Sequence, residues 1–331
     1  MHPFAVSRAA DARDAIVTQG NDPSVAFIAG GTDLVGLMKD GAATPLHLLD
    51  INALPDMAAI EIRSDGTLQL GALARMSDVA AHPAVRRGYP MLSESLLFAA
   101  SGQLRNMASM GGNIMQRTRC AYFRDGDGLP CNKRTPGSGC AAVRGLNRTH
   151  AIFGWSESCV ATHPSDLAVA LTALDAIVQV RGVAGDREIP FQRFHRLPGN
   201  APETDNVLGR GELIVGIQIP PRPEARTSHY LKVRDRQSYE FALVSTAAAV
   251  AINGNRIRSV RLAMGGVAHK PWRLHEAEAA LSGASLDDEM SLKAAIARSF
   301  INARPLAHNA FKVELAQRCV LRALRTAGAR T

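Results

Sequence analysis

Four of the five cysteines, Cys120, Cys131, Cys140 and Cys159, fall within forty residues, separated by 10, 8 and 18 intervening positions. Four thiolates grouped in this way can bind zinc tetrahedrally, hold an iron-sulfur cluster or close two disulfides. No C-x2-C pair is present, which disfavours zinc. From residue 117 to 148 the chain carries Arg117, Arg119, Arg124, Lys133, Arg134, Arg144 and Arg148 against only Asp125 and Asp127. Such positive charge offsets that of a thiolate-ligated cluster and so favours iron-sulfur over neutral disulfides. Surface cysteines with no common role are the plain alternative. Cys319, on a C-terminal helical pattern, reads as a buried thiol.

A second feature is Ile28-Ala29-Gly30-Gly31-Thr32-Asp33-Leu34, where a strand delivers two glycines and a hydroxyl to a helix start. Backbone N–H groups freed there can cradle a pyrophosphate, and glycine allows close approach. Ser109-Met110-Gly111-Gly112-Asn113 repeats the idea, as two loops closing on one cofactor would. Taken alone, a Gly-Gly turn is more often simply a turn. The G-x-G-x-x-G and Walker A patterns are absent, as are G-x-S-x-G and H-E-x-x-H, and the ten histidines show no metal-ligand spacing. His163 reads as a structural loop residue and Asp166 as the N-terminal acid of a helix or a cofactor contact. Lys232, Arg234 and Glu240 read as a solvated strand and turn.

The elements that position these residues follow from periodicity and punctuation. Asp11 to Gln19 and Thr32 to Gly41 are helical, with strands at Val25 to Gly31, Leu46 to Ile51, Ala58 to Arg63 and Thr67 to Leu73; the last two are joined by a Ser64-Asp65-Gly66 turn. Helices follow near Ser77 to Ala81 and Met91 to Ala100. Residues 117–150, rich in Gly and Pro, read as a long loop. Pro164-Ser165-Asp166 opens a helix through Leu174, before strands at Ala176 to Arg181 and Glu212 to Ile219. The Pro-rich stretch Pro220 to Ala225 marks a boundary near residue 225. Beyond it come strands at Ser228 to Val233, Ser245 to Ile252 and Ile257 to Met264, then helices at Leu274 to Leu281, Leu286 to Arg304 and Phe311 to Ala327, an α+β layout.

A chain of 331 residues with 46% apolar and 21% charged residues is long enough for about two domains with real cores. The apolar run Phe241 to Ile252 is too short to span a membrane. A net charge of +8 is compatible with nucleic acid or an acidic partner and chooses neither. The N-terminus does not read as a secretory or twin-arginine leader.

Taken in order, AGGTDL (Ala29 to Leu34), QLRNMASMGGNIMQRTRC (Gln103 to Cys120), CNKRTPGSGC (Cys131 to Cys140), HPSDLAVAL (His163 to Leu171), GELI (Gly211 to Ile214), YLKVRDRQSYEFALVS (Tyr230 to Ser245) and GGVAHKPWR (Gly265 to Arg273) resemble the FAD-binding medium subunit of the xanthine dehydrogenase family of molybdenum hydroxylases. The closest likeness is to its periplasmic aldehyde oxidoreductase branch, which carries an extra [4Fe-4S] cluster in this subunit.

This resemblance implies an α+β fold. A two-part FAD-binding domain of the p-cresol methylhydroxylase (vanillyl-alcohol oxidase-like) type would cover residues 1–224, with a cysteine-rich loop at about 117–160. A C-terminal α+β domain like that of CO dehydrogenase flavoproteins would cover 225–331. Phe27, Ile28, Ala29, Gly30, Gly31, Thr32, Asp33 and Leu34 would wrap the FAD pyrophosphate, with Ser109, Gly112 and Asn113 completing the cradle. Asp166, Ile214 and Lys232 match further FAD contacts, the last two near the isoalloxazine. Cys120, Cys131, Cys140 and Cys159 match the cluster ligands. No residue is assigned a catalytic role. Where some members place an aromatic residue before the second glycine loop, this chain has Phe98-Ala99-Ala100-Ser101, so stacking on the flavin is expected to differ.

The function implied is electron transfer. Aldehyde would be oxidised to carboxylic acid at a molybdenum cofactor in a large subunit, with [2Fe-2S] centres of a small subunit feeding this FAD, in a heterotrimer or a dimer of heterotrimers. Co-export with a partner subunit would make the location periplasmic, and otherwise cytoplasmic. Two alternatives stand beside this one: a self-sufficient flavin oxidase of the same fold, and a zinc-stabilised nucleic-acid binder using the basic loop.

Overall fold

The computed structural model describes residues 1–125 and 128–330; Asp127, counted above, lies outside the described residues, with Gly126 and Thr331. The chain begins β1 (Ala5–Arg8), α1 (Ala12–Asn21), β2 (Val25–Ile28), α2 (Leu34–Lys39), β3 (His47–Asp50). The three strands form a parallel sheet in the order β1-β3-β2, Ala5 and Val25 both pairing with His47. Parallel neighbours need crossover connections, and α1 and α2 supply them. Asp11 caps α1 by accepting from the Asp14 amide at 2.8 Å.

A second, five-stranded antiparallel sheet contains β4 (Ile60–Ile62), β5 (Leu68–Gly71), β6 (Ile177–Gly182), β7 (Gly185–Pro190) and β8 (Glu212–Ile219), in the order β4-β5-β8-β6-β7. Between β5 and β6 the chain runs through α3 (Met76–Ala81), α4 (Pro83–Gly88), α5 (Pro90–Phe98), α6 (Gly102–Met107), α7 (Met110–Ile114), α8 (Ala121–Arg124) and α9 (Asp166–Ala173). The four-residue α10 (Phe191–Phe194) follows β7. Residues 125–165, where described, contain only a 3-10 turn at Ala141–Val143 and isolated bridges, in line with the loop expected there.

The third sheet holds β9 (Ser228–Val233), β10 (Val244–Asn253), β11 (Arg256–Gly265) and β12 (Trp272–Arg273), antiparallel in the order β12-β11-β10-β9. It is followed by α11 (His275–Leu281), α12 (Glu289–Ala297) and α13 (Phe311–Gly328). Alternation along β10 assigns its side chains to two cores. Ala247 and Ala249 belong to the apolar cluster containing α5, α9 and the five-stranded sheet, whereas Ala248 and Val250 belong to the one containing α11, α12 and α13. A strand covered on both faces reads as a continuous apolar run, which is the physical reason for the composition of Phe241 to Ile252. No helix among the described residues is long and apolar enough to cross a membrane.

Two expectations need correction. Ser109 to Asn113 is the start of α7 and not a free turn, because the Ser109 hydroxyl caps it, accepting from the Gly112 amide at 3.1 Å. The single helix expected over Leu286 to Arg304 is shorter: Asp288 caps α12 through the Ser291 amide at 3.0 Å, and a 3-10 turn, Arg298–Phe300, closes it.

Candidate functional site: a two-lobed cleft beside a cysteine centre

The strand-to-helix turn after β2 abuts the junction between α6 and α7. Gly30 is required by that approach, since a Cβ there would lie 2.0 Å from the Met107 carbonyl oxygen. Gly31 sits at φ +68°, a left-handed conformation that glycine adopts without strain. Arg75 clamps both segments: its guanidinium donates to the Met107 carbonyl and, at 2.9 Å, to Asn52 Oδ1, while Asn52 Nδ2 donates to the Ala29 carbonyl at 3.0 Å. The sequence reading missed this clamp, because nothing in the local pattern links Arg75 to Asn52.

The turn opens on a cavity of about 570 Å³ walled by residues 25–34 and by Ser109, Gly112 and Ile214, among others. It adjoins a second cavity of about 280 Å³, with Thr32, Asp33, Gly112 and Gln116 lining both. Asn113, Asp166 and Lys232 line the second, together with Ala99, Ala100 and Phe241. Every residue marked by resemblance for FAD therefore lines one continuous two-lobed cleft. Ala99 and Ala100, the latter at φ +48°, form a small-residue wall where an aromatic stack was noted as missing, and Phe98 lies instead under Arg234, 5.5 Å from its guanidinium carbon.

The far lobe is polarised by a buried ion pair. Lys232 Nζ donates to Asp166 Oδ2 at 2.7 Å and to the Phe98 carbonyl at 3.1 Å, and the Tyr230 hydroxyl donates to Asp166 Oδ1 at 2.5 Å. Burial pushes the Asp166 carboxyl up, opposed by Lys232, and pushes the Tyr230 hydroxyl well up, the Asp166 charge adding to it. Lys232 is thus no solvated lysine: its side chain is 2% exposed. The alternation of Tyr230 and Lys232 along β9 was the available signal for placing Tyr230 beside it. Ser165 caps α9 and donates to Asn113 Oδ1 at 2.6 Å, joining α9 to the second glycine segment.

The Asp33 carboxylate joins the cleft to the cysteine segment through arginines that also line the cleft. It accepts from the Arg117 amide at 2.8 Å, from Arg124 at 2.8 Å and from Arg119. Burial raises its pKa, against those partners. Asp205 plays the matching role for Arg117 Nε at 2.7 Å and for the buried Lys133. Arg148 pairs with Asp235, and Arg134 donates to the carbonyls of Phe123 and Arg124. Most of the basic side chains of this segment are therefore spent internally, which argues against a nucleic-acid surface.

The four clustered cysteines come together. Cys131 and Cys140 face each other in an antiparallel bridge, Cys159 hydrogen-bonds Cys140, and Cys120 lies within electrostatic reach of Cys131 and Cys140. All are free thiols. The Cys159 hydrogen bond brings Cys140 down to about 6, whereas burial pushes Cys120 up to about 12. Cys120 Sγ lies 3.2 Å from Nε2 of the buried His150, whose pKa burial brings down to about 4, leaving a neutral imidazole. Cys140 and Cys159 are the one thiol pair joined by a hydrogen bond among the described residues, where no group of three Cys, His, Asp or Glu side chains converges on one metal position. The donor set itself, four thiols of one loop backed by the buried Lys133, fits a soft-metal centre. His163 is half-buried, with Nδ1 accepting from the Ser165 amide, the structural role expected of it.

Residues 2–222 match the family described as the FAD binding domain in molybdopterin dehydrogenase, and residues 229–327 match the CO dehydrogenase flavoprotein C-terminal domain. The chain is 47% identical to the aldehyde oxidoreductase FAD-binding subunit PaoB of Escherichia coli, over 99% of both chains. It is 27% identical to the glyceraldehyde dehydrogenase medium chain of Sulfolobus acidocaldarius, over 88% of this chain and 85% of the other. Carbon monoxide dehydrogenase from Hydrogenophaga pseudoflava has a chain of the same fold, with TM-score 0.76 at 24% identity and 99% and 98% of the two chains covered.

Proposed function

We propose, from the premise that this chain belongs to the FAD-binding medium subunits of the molybdenum hydroxylase family, that it is the electron-transfer flavoprotein subunit of an aldehyde oxidoreductase. The observation that carries this reading is the single two-lobed cleft, whose walls hold both glycine segments at one end and the Asp166–Lys232 pair at the other. Residues 27–34 with Ser109, Gly112 and Asn113 would hold the pyrophosphate, and Asp166, Ile214 and Lys232 would flank the ring. The chemistry that FAD supplies when bound is the exchange of electrons between one-electron centres and an external acceptor. The chain's own part is binding, orientation and electrostatics. Lys232, held by Asp166, fixes a positive charge at the ring end, which favours an electron-rich flavin over an electron-poor one.

In this reading aldehyde is oxidised to carboxylic acid in a separate molybdenum subunit, and [2Fe-2S] centres of a small subunit deliver the electrons. Cys120, Cys131, Cys140 and Cys159 would hold a [4Fe-4S] cluster, with Lys133 and the surrounding arginines offsetting its charge. Closing so long a loop on a metal also limits its conformational freedom. The relative's name as an aldehyde oxidoreductase subunit supports the substrate class. Residence in the periplasm, reached folded beside a partner subunit, belongs to the same proposal, as does division of the chain at about residue 225.

The test is an anaerobic absorption spectrum of the purified chain with flavin, iron and zinc counted per polypeptide. One FAD with about four irons is expected. Zinc without flavin, or turnover of aldehyde by the isolated chain, would overturn the reading.

A further inference from the structure

His150 is buried, and its main chain is gripped by residues of the C-terminal part of the chain. Its carbonyl accepts from Lys312 Nζ, in the first turn of α13, at 2.9 Å and from Asn309 Nδ2, just before that helix, at 3.1 Å, and its amide donates to the Asn147 carbonyl at 3.0 Å. Asn309 Nδ2 also donates to the Ala151 carbonyl, and Lys312 Nζ to that of Gly266. The segment carrying the imidazole, itself part of the cysteine loop, is thereby tied to the C-terminal core as well. Nδ1 has no hydrogen-bond partner among the described residues, while Nε2 lies 3.2 Å from Cys120 Sγ. An N–H at Nε2 therefore has the Cys120 sulfur to donate to, at hydrogen-bond distance.

We propose that His150 is a positioning residue for the cysteine centre, its Nε2–H donating to Cys120 Sγ and so orienting that sulfur and drawing electron density from it. This rests on the reading of the four cysteines as cluster ligands. Hydrogen bonds to ligand sulfurs favour the more negative, reduced state of an iron-sulfur centre and raise its potential. Because the His150 main chain is tied to Lys312 of α13, the donor links Cys120 to the C-terminal core.

The experiment compares the full chain, purified anaerobically, with His150→Leu and His150→Gln variants. Iron is counted and the midpoint potential is read in a redox titration followed by electron paramagnetic resonance. The expected result is about four irons in the unsubstituted and Gln forms. The Leu form should have a more negative potential, and the Gln form, whose amide can donate, should return toward the original. Iron lost from the Leu form but kept in the Gln form, at near the original potential, also supports the assignment. A Leu form with full iron and an unmoved potential overturns it, as does loss of iron from both variants. An unsubstituted chain without iron overturns the cluster reading, and this inference with it.

Discussion

Replacing Lys312 by methionine removes a fully buried ammonium while keeping most of its volume. In the native chain Lys312 is 0% exposed, and its partners are the carbonyls of His150 and Gly266, with no carboxylate paired to it among the described residues. Burial, helped by the charge of Arg148, brings its pKa from 10.5 down to about 7. Above that lower value the native lysine releases its proton while the unfolded chain keeps it, up to the unfolded value. The unfolded state then binds more protons, so stability rises with pH across this window, at a slope approaching 1.4 kcal/mol per pH unit, about the most one group can give. Below pH 7 both states are protonated and the contribution is flat. Between pH 7 and pH 9 the native protein should gain about 2 kcal/mol that Lys312→Met cannot gain. The variant also strands the buried Gly266 carbonyl, at about 1–3 kcal/mol, while that of His150 keeps Asn309 Nδ2. That offset does not depend on pH, so the difference of slopes isolates the lysine. Urea unfolding followed by circular dichroism at several pH values gives both slopes. Parallel stability curves for the two proteins would refute the reasoning.

Gly30→Ala should cost about 1–3 kcal/mol, because the new Cβ meets the Met107 backbone and not a side chain that can swing away. The flavin-to-protein absorbance ratio after gel filtration should fall with it, and full flavin at an unchanged melting temperature would contradict the collision. Asp175 accepts from Arg222 at 3.0 Å, Arg261 at 2.8 Å and Arg273 at 2.7 Å, from a backbone at φ +51° that asparagine also tolerates. Asp175→Asn should therefore lower stability by about 2–3 kcal/mol through charge alone, and a thermal melt within error of the original would count against that network. Lys232→Met should move the flavin potential to more negative values in spectroelectrochemistry; a shift in the opposite direction would remove the lysine from its assigned role.

Much of the scaffold was readable because each element carried its own local signal. Glu212 to Ile219 and Ser228 to Val233 are strands at the bounds their alternation indicated, and Ser165 announced α9 as its cap. What escaped was set by distant partners. β1 is exposed along its length and has no inward face to betray it, and α4, α6 and α7 are single short segments defined by packing and caps. The burial of Lys232 could not be read either, since its counter-charge, Asp166, lies 66 positions away. Within the cleft, the glycine segments were visible as composition. Their clamp through Arg75 and Asn52, and the turning of Asp33 toward Arg117, Arg119 and Arg124, exist only once the chain has folded.

The division of β10 between two cores limits how this protein can move. Rotation of the C-terminal unit against the rest would shear the small contacts of Ala247 and Ala249 on one face and of Ala248 and Val250 on the other. Alanines leave little slack, because a short side chain holds neighbouring backbones close and has no rotamers with which to follow a shift. A hinge near residue 225 is therefore blocked even though the sequence there looks like a linker. Chain cleavage at that point would not release two working halves either, since the larger half would lose one wall of its interior. The two walls of the cleft that carry Asp166 and Lys232, the latter on β9 beside β10, are consequently set against each other at folding.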